Sequence, residues 1–129
     1  MAEYVHSVSK QFKELLDKLK QTHTGLKIYY FYPPKFNNLP CISYKLAGNT
    51  PLDKTINGQP RRQEASYNVD FWGESAEELQ ELADELKDIL MKEKWSCSFE
   101  QDLKDPSELY YHKSTRFQLT FDNKLKISL

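Results

Sequence analysis

The side chains able to do chemistry are few and far apart. Two cysteines, Cys41 and Cys97, and three histidines, His6, His23 and His112, are spread over 129 residues. A structural zinc site wants about four Cys or His ligands at short, regular spacings. No histidine stands at such a spacing from either cysteine, so no metal site is expected. The amino terminus, MAEYVHSVSK, lacks the charged-then-apolar layout of a secretory signal. Two free, buried thiols are therefore expected rather than a disulfide, in a protein that stays where it is made. His112 follows Tyr110-Tyr111 in a strand-like segment. It has the chemistry of a general base, but a lone histidine there reads as a hydrogen-bonded or surface residue of a sheet. No glycine-rich phosphate loop, nucleophile elbow or HExxH motif is present. The expectation is no catalytic residue, no cofactor and no enzyme.

Charge is the more informative property. The chain has a net charge of -1, which gives no global pull toward nucleic acid or an acidic membrane. Residues 1 to 64 carry ten Lys or Arg against five Asp or Glu, for +5, and residues 65 to 129 carry eight against fourteen, for -6. Whether that asymmetry survives in space depends on how the halves interleave. Glu77, Glu81, Asp84 and Asp88 form one outward stripe of an expected helix, a solubilising face rather than a catalytic carboxylate pair. Glu81 with Glu85 and Asp84 with Asp88 are like-charged at i,i+4, each costing about 0.2 to 0.5 kcal/mol in an isolated helix. A basic partner would offset that cost, and Arg61-Arg62 on this chain or a neighbouring copy is the candidate. The candidate subunit interface is therefore Arg61, Arg62, Asn57, Gly58, Glu81, Asp84, Glu85 and Asp88. Lys27, Tyr29, Tyr30 and Tyr32 hint at a nucleic-acid surface, but the acidic second half argues against it and assigns those rings to packing.

Hydrophobic periodicity supplies the elements that must position these groups. Val5, Val8, Phe12, Leu15, Leu16 and Leu19 recur at helical steps, predicting a helix over about 3–22 closed by Gly25. Strands are predicted near 27–32, 41–46 and 66–72. The segment 47–61 between the last two holds two prolines, two glycines and Asn57-Gly58, and reads as a long protruding loop, with 48–61 mobile in a lone subunit. Ser75 and Glu78 make a capping box for a helix over 75–92, whose stripe is Leu79, Leu82, Ala83, Leu86, Ile89 and Leu90. Strands near 95–99 and 109–121 follow, with Tyr111, Phe117, Leu119 and Phe121 on one parity. With 39% apolar residues, 13% aromatic content and a mean hydropathy of -0.74, this is one globular domain over 1–129. The expected class is α+β in the order α-β-β-β-α-β-β. Both helices should lie on one face of a mainly antiparallel sheet, packed through Phe12, Leu16, Leu79, Leu82, Leu86 and Ile89.

Several of these segments together carry a resemblance. They are the amphipathic first helix, the aromatic strand ending in Pro33-Pro34, Leu39-Pro40-Cys41-Ile42-Ser43-Tyr44 and the long polar loop. Val69-Asp70-Phe71-Trp72-Gly73, the Ser75 to Leu90 helix, Leu109-Tyr110-Tyr111-His112-Lys113 and Arg116-Phe117 complete it. In this order and length the chain resembles the small tail-terminator proteins of long-tailed bacteriophages and prophages, also called tail-completion or tail-to-head joining proteins. The resemblance implies a ring, commonly of six copies, on the head-proximal end of the tail tube. Its partners would be the tail tube protein and a head-completion or connector protein. It implies no catalytic residue and no membrane, and a location in the virion after synthesis in the host cytoplasm. Subunit contacts would fall on the long loop and the charged faces. Another phage neck or minor capsid component is the neighbouring alternative. A ligand-binding module using His112, or a nucleic-acid module, is the alternative from another class.

Overall fold

The computed structural model describes residues 2–31, 40–51, 62–103, 110–122 and 127–128. In chain order the elements are α1 (Ala2–Asp17), α2 (Leu19–Thr22), β1 (Lys27–Tyr30), β2 (Cys41–Pro51), β3 (Arg62–Gly73), α3 (Ala76–Met91), β4 (Ser96–Leu103), β5 (Tyr111–Asp122) and β6 (Ile127–Ser128). They form one small α+β domain around a single mixed sheet with strand order β1-β2-β3-β5-β4, and β6 adds two residues to β5.

Alternation of side chains along β3 decides where the helices sit. Ala65, Tyr67, Val69 and Phe71 are buried together with Phe12, Leu16, Leu82 and Leu86 in one core. Ser66, Asn68 and Asp70, on the opposite parity, are only half-buried. Both long helices therefore cover one face, and the opposite face carries these polar residues together with buried Trp72 and Cys41. Phe12 anchors α1, its ring stacked on Tyr67 at 4.3 Å and tilted against Trp95 at 4.8 Å. On α3, Leu79, Leu82, Ala83, Leu86 and Leu90 are buried and Ile89 partly so.

The helix ends follow local chemistry. Ser75 accepts from the Glu78 N–H at 3.3 Å, as a cap should. At the other end of α3 the Trp95 N–H donates to the Leu90 carbonyl and the Lys94 N–H to that of Met91. That pair of bonds closes the helix with Lys94 left-handed at φ 69, a position glycine usually holds. Gly25 does hold it after α2, at φ 86.

Three expectations need correction. The first helix is not one run over 3–22. At Lys18 the turn tightens to i→i+3 bonds, Lys18 N–H to Leu15 and Gln21 N–H to Lys18, which separates α1 from α2. The sheet is mainly antiparallel, as expected, with one parallel pair: β1 runs alongside β2, Lys27 beside Cys41 and Tyr30 beside Tyr44. The element order gains α2 and β6. The stretch 47–61 is not a loop from its first residue. β2 continues through a bulge at Ala47 to Pro51, opposite Gln63 of β3. Its composition argues against a strand, but β3 is already held by β5 on its far side, and the ready-made ladder outweighs weak local preference. Residues 52–61, with Asn57, Gly58 and Arg61, lie outside the described residues, as does Tyr32.

Candidate functional site

Strand order turns the sequence asymmetry into a spatial one. β1 and β2 make one lateral side of the sheet, with α1 above β2 and β3 through the Phe12 contacts to Tyr44 and Tyr67. β4 and β5 make the other, with α3 tied to β4 and β5 through Lys87, Gln80, Glu100 and Lys113. Residues 2–31 and 40–51 carry six lysines against three acids, for +3. Residues 74–103 and 110–122, on the other side, carry eleven acids against five Lys or Arg, for -6. β3 lies between the two pairs of strands, while on the helix-covered face α3 packs on β3 and is joined to Thr22 and His23 through Glu85.

The acidic stripe of α3 is partly neutralised within the chain. Glu81, Asp84 and Asp88 are exposed. Asp84 accepts from Gln80 at 2.9 Å and lies 3.5 Å from the Lys87 ammonium. Glu85 accepts from the Thr22 hydroxyl at 2.5 Å and pairs with His23 Nε2 at 2.6 Å. The Thr22 hydrogen bond pulls the Glu85 carboxyl below its ordinary value, burial opposes this, and His23 adds to it. Arg62 begins β3 opposite Asp122. It stands at the end of the strand remote from Gly73, where α3 follows, so Glu85 and Asp84 take their partners from elsewhere. Glu85→Ala unlinks α2 from α3 at a site one-third exposed, and is expected to cost about 0.5 to 1 kcal/mol. Because the folded pKa is depressed, that contribution is present above the ordinary carboxylate value and fades as pH falls below it. Urea unfolding at pH 7 and pH 3 checks both points; an equal loss at the two values would contradict the second.

A larger network was not legible in the acidic stripe. Lys113 of β5 is nearly fully buried on the helix-covered face. Its ammonium donates to Gln80 Oε1 at 2.8 Å and to Asp102 Oδ1 at 2.9 Å, with Glu100 Oε2 also at 2.9 Å. Glu100 also takes Lys87. Burial alone would raise the Glu100 carboxyl, but hydrogen bonds from Lys87 and Lys113 outweigh it and hold the group down at about 2. A signal existed: Lys113 shares the parity of Tyr111, Phe117, Leu119 and Phe121, a lysine on an otherwise apolar side of a strand.

His112 stands on the opposite face. Its ring stacks on Trp72 at 3.7 Å, and its Nε2 donates to Asp70 Oδ1 at 2.9 Å. The Trp72 indole N–H in turn donates to the Ser43 hydroxyl at 3.2 Å, and Tyr110 packs its edge against Trp72 at 5.9 Å. An oriented imidazole beside a carboxylate resembles a base and its positioning group. Ser43, however, is fully buried and its oxygen is engaged by Trp72. The adjoining cavity, lined by Ala76, Leu79, Asp102, Leu103, Tyr111 and His112, holds about 200 Å³, below the roughly 300 to 1,000 Å³ of ordinary ligand sites. Cys41 and Cys97 are both free thiols, and burial pushes Cys41 up to about 11, leaving it protonated and unreactive. Among the described residues no His, Cys, Asp and Glu group is arranged to hold a metal ion, and no helix is long and apolar enough to cross a membrane.

Comparison with protein-family models gives no match, and comparison with curated proteins gives none either. The surfaces of the fold are what remain to indicate a function.

Proposed function

We propose that this chain is a non-enzymatic structural subunit that assembles head to tail into a ring, caps the tail tube of a long-tailed phage and joins it to the head. The observation that carries the assembly half is the difference in charge between the two lateral sides, +3 against -6. A ring needs two different, complementary patches on every copy, and opposite charge selects the head-to-tail pairing over like-with-like contact. The phage half is supported by the element order and the segments from Leu39 to Phe117 that carry the resemblance. Its partners are further copies of itself, the tail tube and a head-completion or connector protein.

Deleting the gene from a phage that carries it is expected to leave full heads and separate tails, many of abnormal length, in electron micrographs. Normal joined particles from the deletion would overturn this function. The second reading, a small-ligand protein, is favoured by one observation, that His112, paired with Asp70, lines the cavity. It would require His112→Ala to abolish a measured binding or turnover, whereas a structural subunit carrying that change still completes particles.

A further inference from the structure

The sheet face away from the helices carries a row of side chains that runs straight across four strands. Register aligns Lys45 of β2 with Asn68 of β3, Asn68 with Arg116 of β5, and Arg116 with Phe99 of β4. Neighbouring strands lie about 4.8 Å apart, so the row spans about 14 Å. Lys45, Arg116 and Phe99 are exposed. Asn68 Oδ1 accepts from Arg116 Nε at 2.9 Å, which orients the guanidinium and leaves its two outer nitrogens without a bonded partner among the described residues. Lys45 has no ion-pair partner there, and neither has Lys27, exposed on the same face beside Cys41.

Phe99 reaches this face through an irregularity. Cys97, two residues earlier, packs against the core, and alternation alone would send Phe99 after it. The bulge at Ser98 shifts the register and turns the ring outward, 44% exposed, while the Cys97 thiol donates to the Phe99 carbonyl at 3.3 Å. Bulges recur where a strand re-aims a side chain. The acids of the second half, which count against a polyanion in the sequence, lie elsewhere in space. Glu100 and Asp102 are on the helix-covered face with Lys87 and Lys113. The outer acids of α3 stand beyond that layer, more than a helix diameter of about 10 Å from the row. Screening acts over about 8 Å at physiological salt. On the open face Asp70 is committed to His112. Glu64 and Asp122 are four and six residues along their strands from the row, about 13 and 20 Å away. The row's neighbours Ser66, Ser114 and Gln118 are neutral.

We infer that this face binds a single strand of nucleic acid, with a base stacked on Phe99 and phosphates on Arg116, Lys45 and Lys27. Charge complementarity selects a polyanion, and the ring selects one that carries bases, since a polyanion without bases has nothing to lay on Phe99. A guanidinium fork matches phosphate oxygens, and stacking on an exposed aromatic tolerates any base. A duplex fits less well because its bases are already stacked on one another. Binding of this kind is independent of the tail function and is tested on the free chain.

The test is fluorescence anisotropy of a labelled oligothymidine of about 12 nucleotides with the full chain. At about 50 mM salt the wild type is expected to bind with a Kd between about 1 and 100 μM. The logarithm of affinity should fall against that of salt with a slope of about -2, for three cations at about -0.7 each. Phe99→Ala should weaken binding about tenfold with the slope unchanged, and Phe99→Trp should bind at least as well as the wild type. Lys45→Gln and Arg116→Gln should each flatten the slope by about 0.7. Lys92→Gln, at the end of α3 on the other side of the sheet, should change neither quantity. Circular dichroism should show all of these folded, because the altered residues are exposed. A strand of the same length lacking its bases should bind at least about fivefold more weakly. A wild type that shows no binding up to about 1 mM would overturn the inference. So would an abasic strand or a polyglutamate that binds as well as the oligothymidine, or Phe99→Ala at wild-type affinity. A loss in Lys92→Gln equal to that in Lys45→Gln would also overturn it, because the attraction would then belong to the whole surface rather than to this face.

Discussion

Leu86→Ala is expected to lower the unfolding free energy by about 2 to 5 kcal/mol, out of a total of roughly 5 to 15 for a domain of this size. The side chain is fully buried in the core that joins α3 to the sheet, among Phe12, Leu82, Val69 and Phe117. Truncation loses the burial of the removed carbons and leaves a void that a close-packed interior fills only partly. A shift in urea midpoint equivalent to less than about 0.5 kcal/mol would mean that this face of α3 does not pack on the sheet.

Lys113→Met should be the second most damaging change, at about 2 to 3 kcal/mol, although the new residue is apolar and of similar volume. Removing one partner of a buried pair typically costs about 3 to 5 kcal/mol because the other charge is left behind. Here the loss is smaller, since Glu100 keeps Lys87 and about a quarter of its side chain in water. The pH dependence separates this cause from simple repacking. The carboxyl of Glu100 ordinarily titrates near 4.5 and is held at about 2 in the fold. Its contribution is thus present above pH 4.5 and lost as pH falls through 2. In Lys113→Met the folded value rises toward 4.5, so the variant should lose less stability on acidification than the wild type. Lys113 itself is lowered by burial but raised further by Asp102 and Glu100, so it stays charged across this range. Unfolding midpoints measured between pH 7 and pH 2 decide the matter, and parallel acid profiles for the two proteins would refute the network account.

Helices and the parity of the central strands were legible from the residues themselves. The Ser75 cap and the apolar stripe from Leu79 to Leu90 are local statements, read at 3.6 residues per turn, and they hold in the folded chain. Likewise, Gly25 closes its helix in the left-handed conformation that its lack of a Cβ permits. The buried core on α1, Phe12 and Leu16, followed from the same periodicity.

Pairing belongs to a different level. Nothing local distinguishes a strand that stops at Leu46 from one that continues through Gly48 and Asn49 to Pro51, because that extension is stabilised by a ladder to β3 from another part of the chain. The parallel alignment of β1 beside β2 has the same origin. The parity of Lys113 puts it on the side of β5 shared by Phe117 and Leu119, but spacing within the strand does not name its partners. Only when β4 is laid against β5, and α3 over both, do Gln80, Glu100 and Asp102 converge on it. The charge of each half was countable in the sequence, but counting cannot say whether the halves interdigitate. The strand order β1-β2-β3-β5-β4 puts β1 and β2 on one side of β3 and β5 and β4 on the other, with β1 and β4 outermost. Residue type and spacing determine local conformation because its interactions span a few residues. Edges, buried ion pairs and opposed charged sides arise from contacts between segments distant in sequence, which exist only once the sheet has closed its core.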